Sequence, residues 1–258
     1  MPVVLNSGEH DSERLAEHPV GNMCWLDLGV NDPDVAASFY GRLLNWTVAA
    51  PDESGYRLAS LRGHLVAAIG PAEDPGIPYW TVYVRTADIT ASVNAVAAAG
   101  GAVIVPPTPA GDAGVSAVVR DPHGTPLSFW QPGTHRGTYA SGEHGTLAGI
   151  QLRIDAPEDQ RAFLRTSLGW RVRSNGTITY RGRTVATWVP GSTTSGPNRP
   201  SPWLVALSVA DRAAAIERAL ELGASRCADR PGVLIDPAGA AFAVASTPPS
   251  PDPRRRKP

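Results

Sequence analysis

The stretch WLDLGVNDPDVAASFYGRLLNW, residues 25–46, decides the fold because it recurs as GIQLRIDAPEDQRAFLRTSLGW at residues 149–170. Phe39, Leu44 and Trp46 of the first copy match Phe163, Leu168 and Trp170 of the second. The correspondence continues in order: Trp80 with Asp88 against Trp203 with Asp211, Gly100 against Gly223, and Asp121-Pro122-His123-Gly124 against Asp236-Pro237-Ala238-Gly239. Self-similarity on this scale means two modules of one design. The expected division is a flexible N-terminal segment at 1–20, a first module at 21–132, a Gly- and Thr-rich linker at 133–146, a second module at 147–246 and a Pro/Arg-rich disordered tail at 247–258.

Inside each module the hydrophobic period switches from two to about 3.6 and back, twice. Leu26, Leu28 and Val30 alternate as a strand, Asp32 and Pro33 open a helix, and Val35, Ala36, Phe39 and Leu43 lie at helical spacing. Three short strands follow, near 46–50, 56–61 and 65–70. The same plan runs from a strand at 80–85 through a helix opened by Asp88, and the second module repeats it with helices near 157–167 and 211–222. The pattern is βαβββ used four times. The fold class is therefore α+β: two tandem modules, each a pair of βαβββ units forming a curved mixed sheet with helices outside.

Composition excludes several classes of function. The 258 residues are 42% hydrophobic and 18% charged, enough to bury a core, and the net charge of −1 supplies no general cationic field for nucleic acid or anionic lipid. No run approaches the roughly 18 apolar residues of a membrane span, and the first residues lack a signal-peptide core. A cytoplasmic location is expected. Cys24 and Cys227 are too few for a structural zinc site or a disulfide scaffold. Only Lys257 among the 23 basic residues is lysine, which GC-rich coding explains without a functional cause.

The Leu-Gly-Val-Asn-Asp-Pro run with Phe39-Tyr40 and Leu44-Asn45-Trp46, the TVYVRTAD strand-to-helix step and the Asp-Pro-His-Gly turn before Leu127 resemble the vicinal-oxygen-chelate superfamily. That group contains glyoxalase I, extradiol dioxygenases and bleomycin-resistance proteins. The resemblance covers about residues 20–132 and 147–246, and it implies that each pair of βαβββ units forms a half-open barrel whose concave face binds a ligand. It also implies a kinship with tandem proteins of actinobacterial aromatic-polyketide pathways, including anthracycline pathways. Metalloenzymes of the group take His, Gln and Glu ligands from the first, fifth and eighth strands. The matching positions here are Trp25, Thr81 and Ser128 in module one, and Gly149, Leu204 and Ala243 in module two. Neither set suits a divalent ion, so no metal and no cofactor is expected.

Strand alternation then assigns the remaining concave-face residues. Module one presents Trp25, Asp27, Thr81, Tyr83, Arg85, Ser128 and Trp130, a slot with aromatic walls and few polar groups. Module two presents Gln151 and Arg153 among glycine, leucine and alanines, which reads either as a roomier pocket or as a surface packed on module one. Simpler roles compete: Trp25 and Trp130 as core filling, Asp27 and Arg85 as a structural ion pair, and the four recurring tryptophans 46, 80, 170 and 203 as scaffold packing. The expected function is metal-independent binding of a planar aromatic small molecule, in self-resistance or as an accessory to a partner oxygenase, by a monomer. The alternative is a metal-independent isomerase, cyclase or lyase in which Asp27 or Tyr83 moves a proton and Arg85 steadies negative charge.

Overall fold

The structure is a computed structural model and describes residues 18–72, 78–138, 143–154, 157–191 and 203–247. Residues 1–17 of the expected N-terminal segment, 139–142 of the expected linker and the tail at 248–258 lie outside the described residues. Module one runs β1 (Met23–Val30), α1 (Pro33–Leu44), β2 (Thr47–Val48), β3 (Arg57–Leu61), β4 (His64–Pro71), β5 (Tyr79–Arg85), α2 (Ile89–Ala98), β6 (Ala102–Pro109), β7 (Gly114–Arg120) and β8 (Pro126–Pro132). Module two repeats the series as β9 (Leu147–Ile154), α3 (Pro157–Leu168), β10 (Arg171–Val172), β11 (Thr177–Tyr180), β12 (Arg183–Pro190), β13 (Trp203–Val209), α4 (Arg212–Glu221), β14 (Ser225–Arg226), β15 (Val233–Ile235) and β16 (Ala241–Ser246).

Each module is one eight-stranded mixed sheet. The orders are β2-β3-β4-β1-β5-β8-β7-β6 and β10-β11-β12-β9-β13-β16-β15-β14. The two units of a module join through their first strands, antiparallel, while each first strand pairs in parallel with the last strand of its own unit. Local chemistry sets the boundaries. The Asp32 carboxylate accepts from the backbone N–H groups of Asp34 and Val35 with Pro33 in the first turn, and Asp88 and Asp211 cap α2 and α4 in the same way. At the paired turns, Asp121 Oδ1 accepts from His123 N and Thr125 N, Asp236 Oδ1 accepts from Ala240 N, and Gly124 and Gly239 take φ of 84° and 96°. No helix among the described residues is long and apolar enough to cross a membrane.

The modules share one hydrophobic core, built from the helix-side faces of both sheets. Contacts across it are paired by an approximate two-fold relation. Trp46 Nε1 donates to Gly145 O at 2.7 Å and Trp170 Nε1 donates to Gly21 O at 2.9 Å, so each module's tryptophan holds the residues just before the other module's first strand. Each turn aspartate is likewise held from the other module: Asp121 Oδ2 accepts from Gln160 Nε2 at 2.7 Å, and Asp236 Oδ2 accepts from the Tyr40 hydroxyl at 2.8 Å. Trp203 Nε1 donates to Pro126 O at 2.6 Å. Burial raises the Asp236 carboxyl above its ordinary value against the hydrogen bonds it accepts, and burial with the neighbouring Asp236 charge pushes the Tyr40 hydroxyl well up. Because the modules meet through their helix sides, the concave face of module two is not the surface that packs on module one.

Candidate functional site

The concave face of module one is assembled by register. Trp25 lies opposite Tyr83 and Asp27 opposite Thr81 on β5, while Tyr83 lies beside Ser128 and Arg85 beside Trp130 on β8. Leu26, Leu28, Val82, Val84, Leu127 and Phe129 take the other face into the shared core. The concave face divides into two ends with different chemistry.

At the inner end the tryptophans are covered. Trp25 is 5% exposed and Trp130 4%, in a separate cluster with Cys24, Ala68, Ala110 and Ala113. Residues 133–138, expected as linker, fold back to close this end: Gly133 N and His135 N donate to Ala113 O, and Thr138 N donates to Cys24 O. The buried His135 ring stands edge-on to Trp25 at 4.4 Å, and its carbonyl accepts from Trp130 Nε1 at 2.9 Å. Arg85 belongs to this end. Its backbone pairs with Gly21 and Asn22, and its charge acts on His18 and Cys24. Burial lowers the His18 imidazole below its ordinary value and pushes the Cys24 thiol up.

At the outer end polar groups converge. Asp27 Oδ1 accepts from Trp25 Nε1 at 2.6 Å, and Oδ2 accepts from the Tyr83 hydroxyl at 2.6 Å. Asp27, Thr81, Tyr83 and Ser128 line a recess of about 50 Å³, walled further by Tyr56, Tyr79 and Trp203. Ser128 is 1% exposed, and its Oγ makes no hydrogen bond among the described residues. A recess of this size takes a substituent or a ring edge rather than a fused ring system, whose body would lie across the open mouth.

Sequence reasoning missed Tyr56, Tyr79 and Trp203. Tyr79 was within reach, being two residues before Thr81 on the same strand face. Tyr56 precedes β3 and lies against Gly70, where a Cβ would come 2.5 Å from its ring. Trp203 comes from the other module. Tyr180 and Trp188, whose strand phase the sequence leaves open, pack against the shared core. Trp188 pairs with Leu152 in register, carries the Arg161 guanidinium over its ring at 5.0 Å and donates from Nε1 to Arg173 O.

The positions that the resemblance assigns to metal ligands do not carry a metal's donor set. Trp25, Thr81 and Ser128 supply an indole and two hydroxyls, Gly149, Leu204 and Ala243 supply nothing, and no group of three His, Cys, Asp or Glu side chains among the described residues is placed to hold an ion. Asp27 is the carboxylate of the recess, and both of its oxygens accept hydrogen bonds from neighbouring side chains.

Two family models match the two halves. The Glyoxalase/Bleomycin resistance protein/Dioxygenase superfamily matches residues 22–129, and a Glyoxalase-like domain matches residues 150–245. The chain belongs to this superfamily. It is 36% identical to the anthracycline biosynthesis protein DauV of Streptomyces sp. strain C5, over 87% of this chain and 92% of that one. It is 35% identical to the anthracycline biosynthesis protein DnrV of Streptomyces peucetius, with the same coverage. Among solved structures of the superfamily's fold, the Mn(II)-bound glyoxalase from Novosphingobium aromaticivorans superposes with a TM-score of 0.62 at 17% identity, covering 88% of this chain and 82% of that one. At that identity the likeness is one of fold.

Proposed function

We propose that this protein binds the edge of a planar aromatic molecule in the module-one recess, without a metal ion, in the biosynthesis or handling of an aromatic natural product. The observation that carries the reading is the buried Ser128 hydroxyl, which has no hydrogen-bond partner among the described residues and lies beside Tyr83 and Thr81 in a recess with aromatic walls. A buried hydroxyl without a partner costs about 1–3 kcal/mol, which a carbonyl or phenol on a ligand's rim offsets. The fused rings then lie across the mouth beside Tyr56 and Tyr79, whose rings offer stacking area. The names of the relatives support an anthracycline-like ligand. Sequestration for self-resistance and delivery to a partner oxygenase both use this binding step, and a monomer suffices, since each module covers the other's helix-side face.

The test is a titration of tryptophan fluorescence with anthracycline aglycones, recovering each ligand for mass and retention analysis. Saturable quenching with the ligand recovered unchanged is the expected result, and no quenching by any aglycone overturns the reading. An enzymatic reading has one observation of its own. The 2.6 Å hydrogen bond from the Tyr83 hydroxyl to Asp27 orients a phenol at the recess whose proton has a carboxylate to receive it. Under that reading the recovered ligand is altered, and Asp27→Asn abolishes turnover while leaving affinity nearly intact.

A further inference from the structure

One end of the module-one recess is walled by a residue of module two. Trp203, 3% exposed at the start of β13, donates from Nε1 to Pro126 O at 2.6 Å, and both residues line the recess. Pro126 lies two residues before Ser128 on the same face of β8, so this wall stands about 7 Å along the strand from Ser128. A second contact from module two supports the same region. Gly239, in the turn before β16, lies against Pro78, where a Cβ would come 3.1 Å from the proline ring, and Pro78 leads directly into Tyr79, another wall of the recess.

Repetition of the fold does not account for the Trp203 contact. Trp80 is the matching residue of module one, yet it packs edge-on against Tyr40 of its own module at 5.4 Å, and its Nε1 reaches no carbonyl among the described residues. Trp203 is fixed from two sides instead. Its hydrogen bond holds it to Pro126, and its ring stands edge-on to Trp170 at 6.4 Å, whose own Nε1 donates to Gly21 O. A buried indole pinned in this way is a rigid wall, because a close-packed interior leaves it no room to swing aside for a larger group.

We propose that Trp203 is the specificity-determining residue of the module-one site, limiting the entering edge of the aromatic ligand to groups about the size of a hydroxyl or methyl. The inference rests on the ligand reading given above and gives module two a part in that site. A ligand with a chain at its entering edge meets the indole, and each excess methylene against such a wall is worth about tenfold or more in discrimination. A smaller side chain at position 203 opens room for the chain.

The test compares 2,6-dihydroxyanthraquinone with its 2,6-dipropoxy ether, which present the same group at either end, by calorimetric titration into the full chain. Wild type should prefer the dihydroxy compound by about tenfold or more. Trp203→Leu should shift that preference at least about tenfold toward the ether. Trp203→Phe, which keeps a ring and carries the test if the leucine variant does not fold, should shift it about threefold. Trp170→Phe disturbs the same aromatic pair without touching the recess lining and should leave the preference unchanged. Denaturant midpoints report the folding of each variant. Equal affinity of wild type for the two compounds, a folded Trp203 variant with the wild-type preference, or an equal shift in Trp170→Phe overturns the proposal and leaves the recess reading standing. No binding of either compound by wild type overturns both.

Discussion

The two modules share a topology strand for strand and differ in what fills the hollow of the sheet. Module one packs Trp25 and Trp130 into its hollow, seals them with the 110–113 turn and residues 133–138, and leaves a recess only at the outer end. Module two has Gly149 at the position of Trp25 and alanines around it, so its hollow stays open. The helix-side faces, by contrast, are equally apolar in both and merge into one core. Stability is thus assigned to the shared face and individuality to the concave one.

The largest expected effect comes from giving module one the residue of module two. Trp25→Gly removes a buried ring from a covered site and one of the hydrogen bonds on Asp27, and should lower stability by about 3–5 kcal/mol in chemical denaturation. A loss under about 1 kcal/mol would mean that the inner end is loosely packed and that the contrast between the hollows is overstated.

The next concerns the turn aspartates, which look alike in sequence and are held differently. Tyr40→Phe should cost about 1–3 kcal/mol at neutral pH, because it leaves Asp236 Oδ2 buried without the Tyr40 hydroxyl. The sign of the pH dependence follows from the raised Asp236 value. The native state holds this proton more tightly than the unfolded chain, so the group's contribution to stability is fully present below the ordinary carboxylate value and is lost as pH rises through the raised one. Asp236→Asn removes that slope, so its cost relative to wild type should be smaller at pH 7 than near pH 3.5, as measured by denaturant midpoints. A cost that grows with pH would reverse the assignment.

A smaller effect is expected at the recess. Ser128→Ala should weaken binding of an aromatic aglycone by about three- to tenfold without lowering stability, because the lost hydroxyl has no protein partner among the described residues. Equal affinity would remove Ser128 from the ligand's contacts. The smallest effect belongs to Gly149→Ala. Its Cβ enters open space, and a strand alanine is favoured over glycine, so stability should stay level or rise by up to about 1 kcal/mol. Destabilisation would show that the module-two hollow is closed.

The architecture was legible because the repeat fixed the modules, and period-two alternation fixed which residues share a face. The register then brought Asp27, Thr81, Tyr83 and Ser128 to one recess. What stayed hidden depends on long-range packing. Nothing local to His135 says that its ring will lie on Trp25, and nothing near Trp203 says that it will wall a recess of the other module. The linker composition at 133–146 was read from its Gly and Thr content, yet residues 133–138 carry backbone hydrogen bonds that close the module-one hollow.

The most direct test is calorimetric titration of an anthracycline aglycone into three proteins: wild type, Thr81→Trp, which plugs the module-one recess, and Gly149→Trp, which fills the module-two hollow. The account predicts one aglycone per chain in wild type, loss of that binding in Thr81→Trp and its retention in Gly149→Trp. Binding that survives Thr81→Trp, or is lost in Gly149→Trp, would place the aromatic site in the wrong module and contradict the central claim.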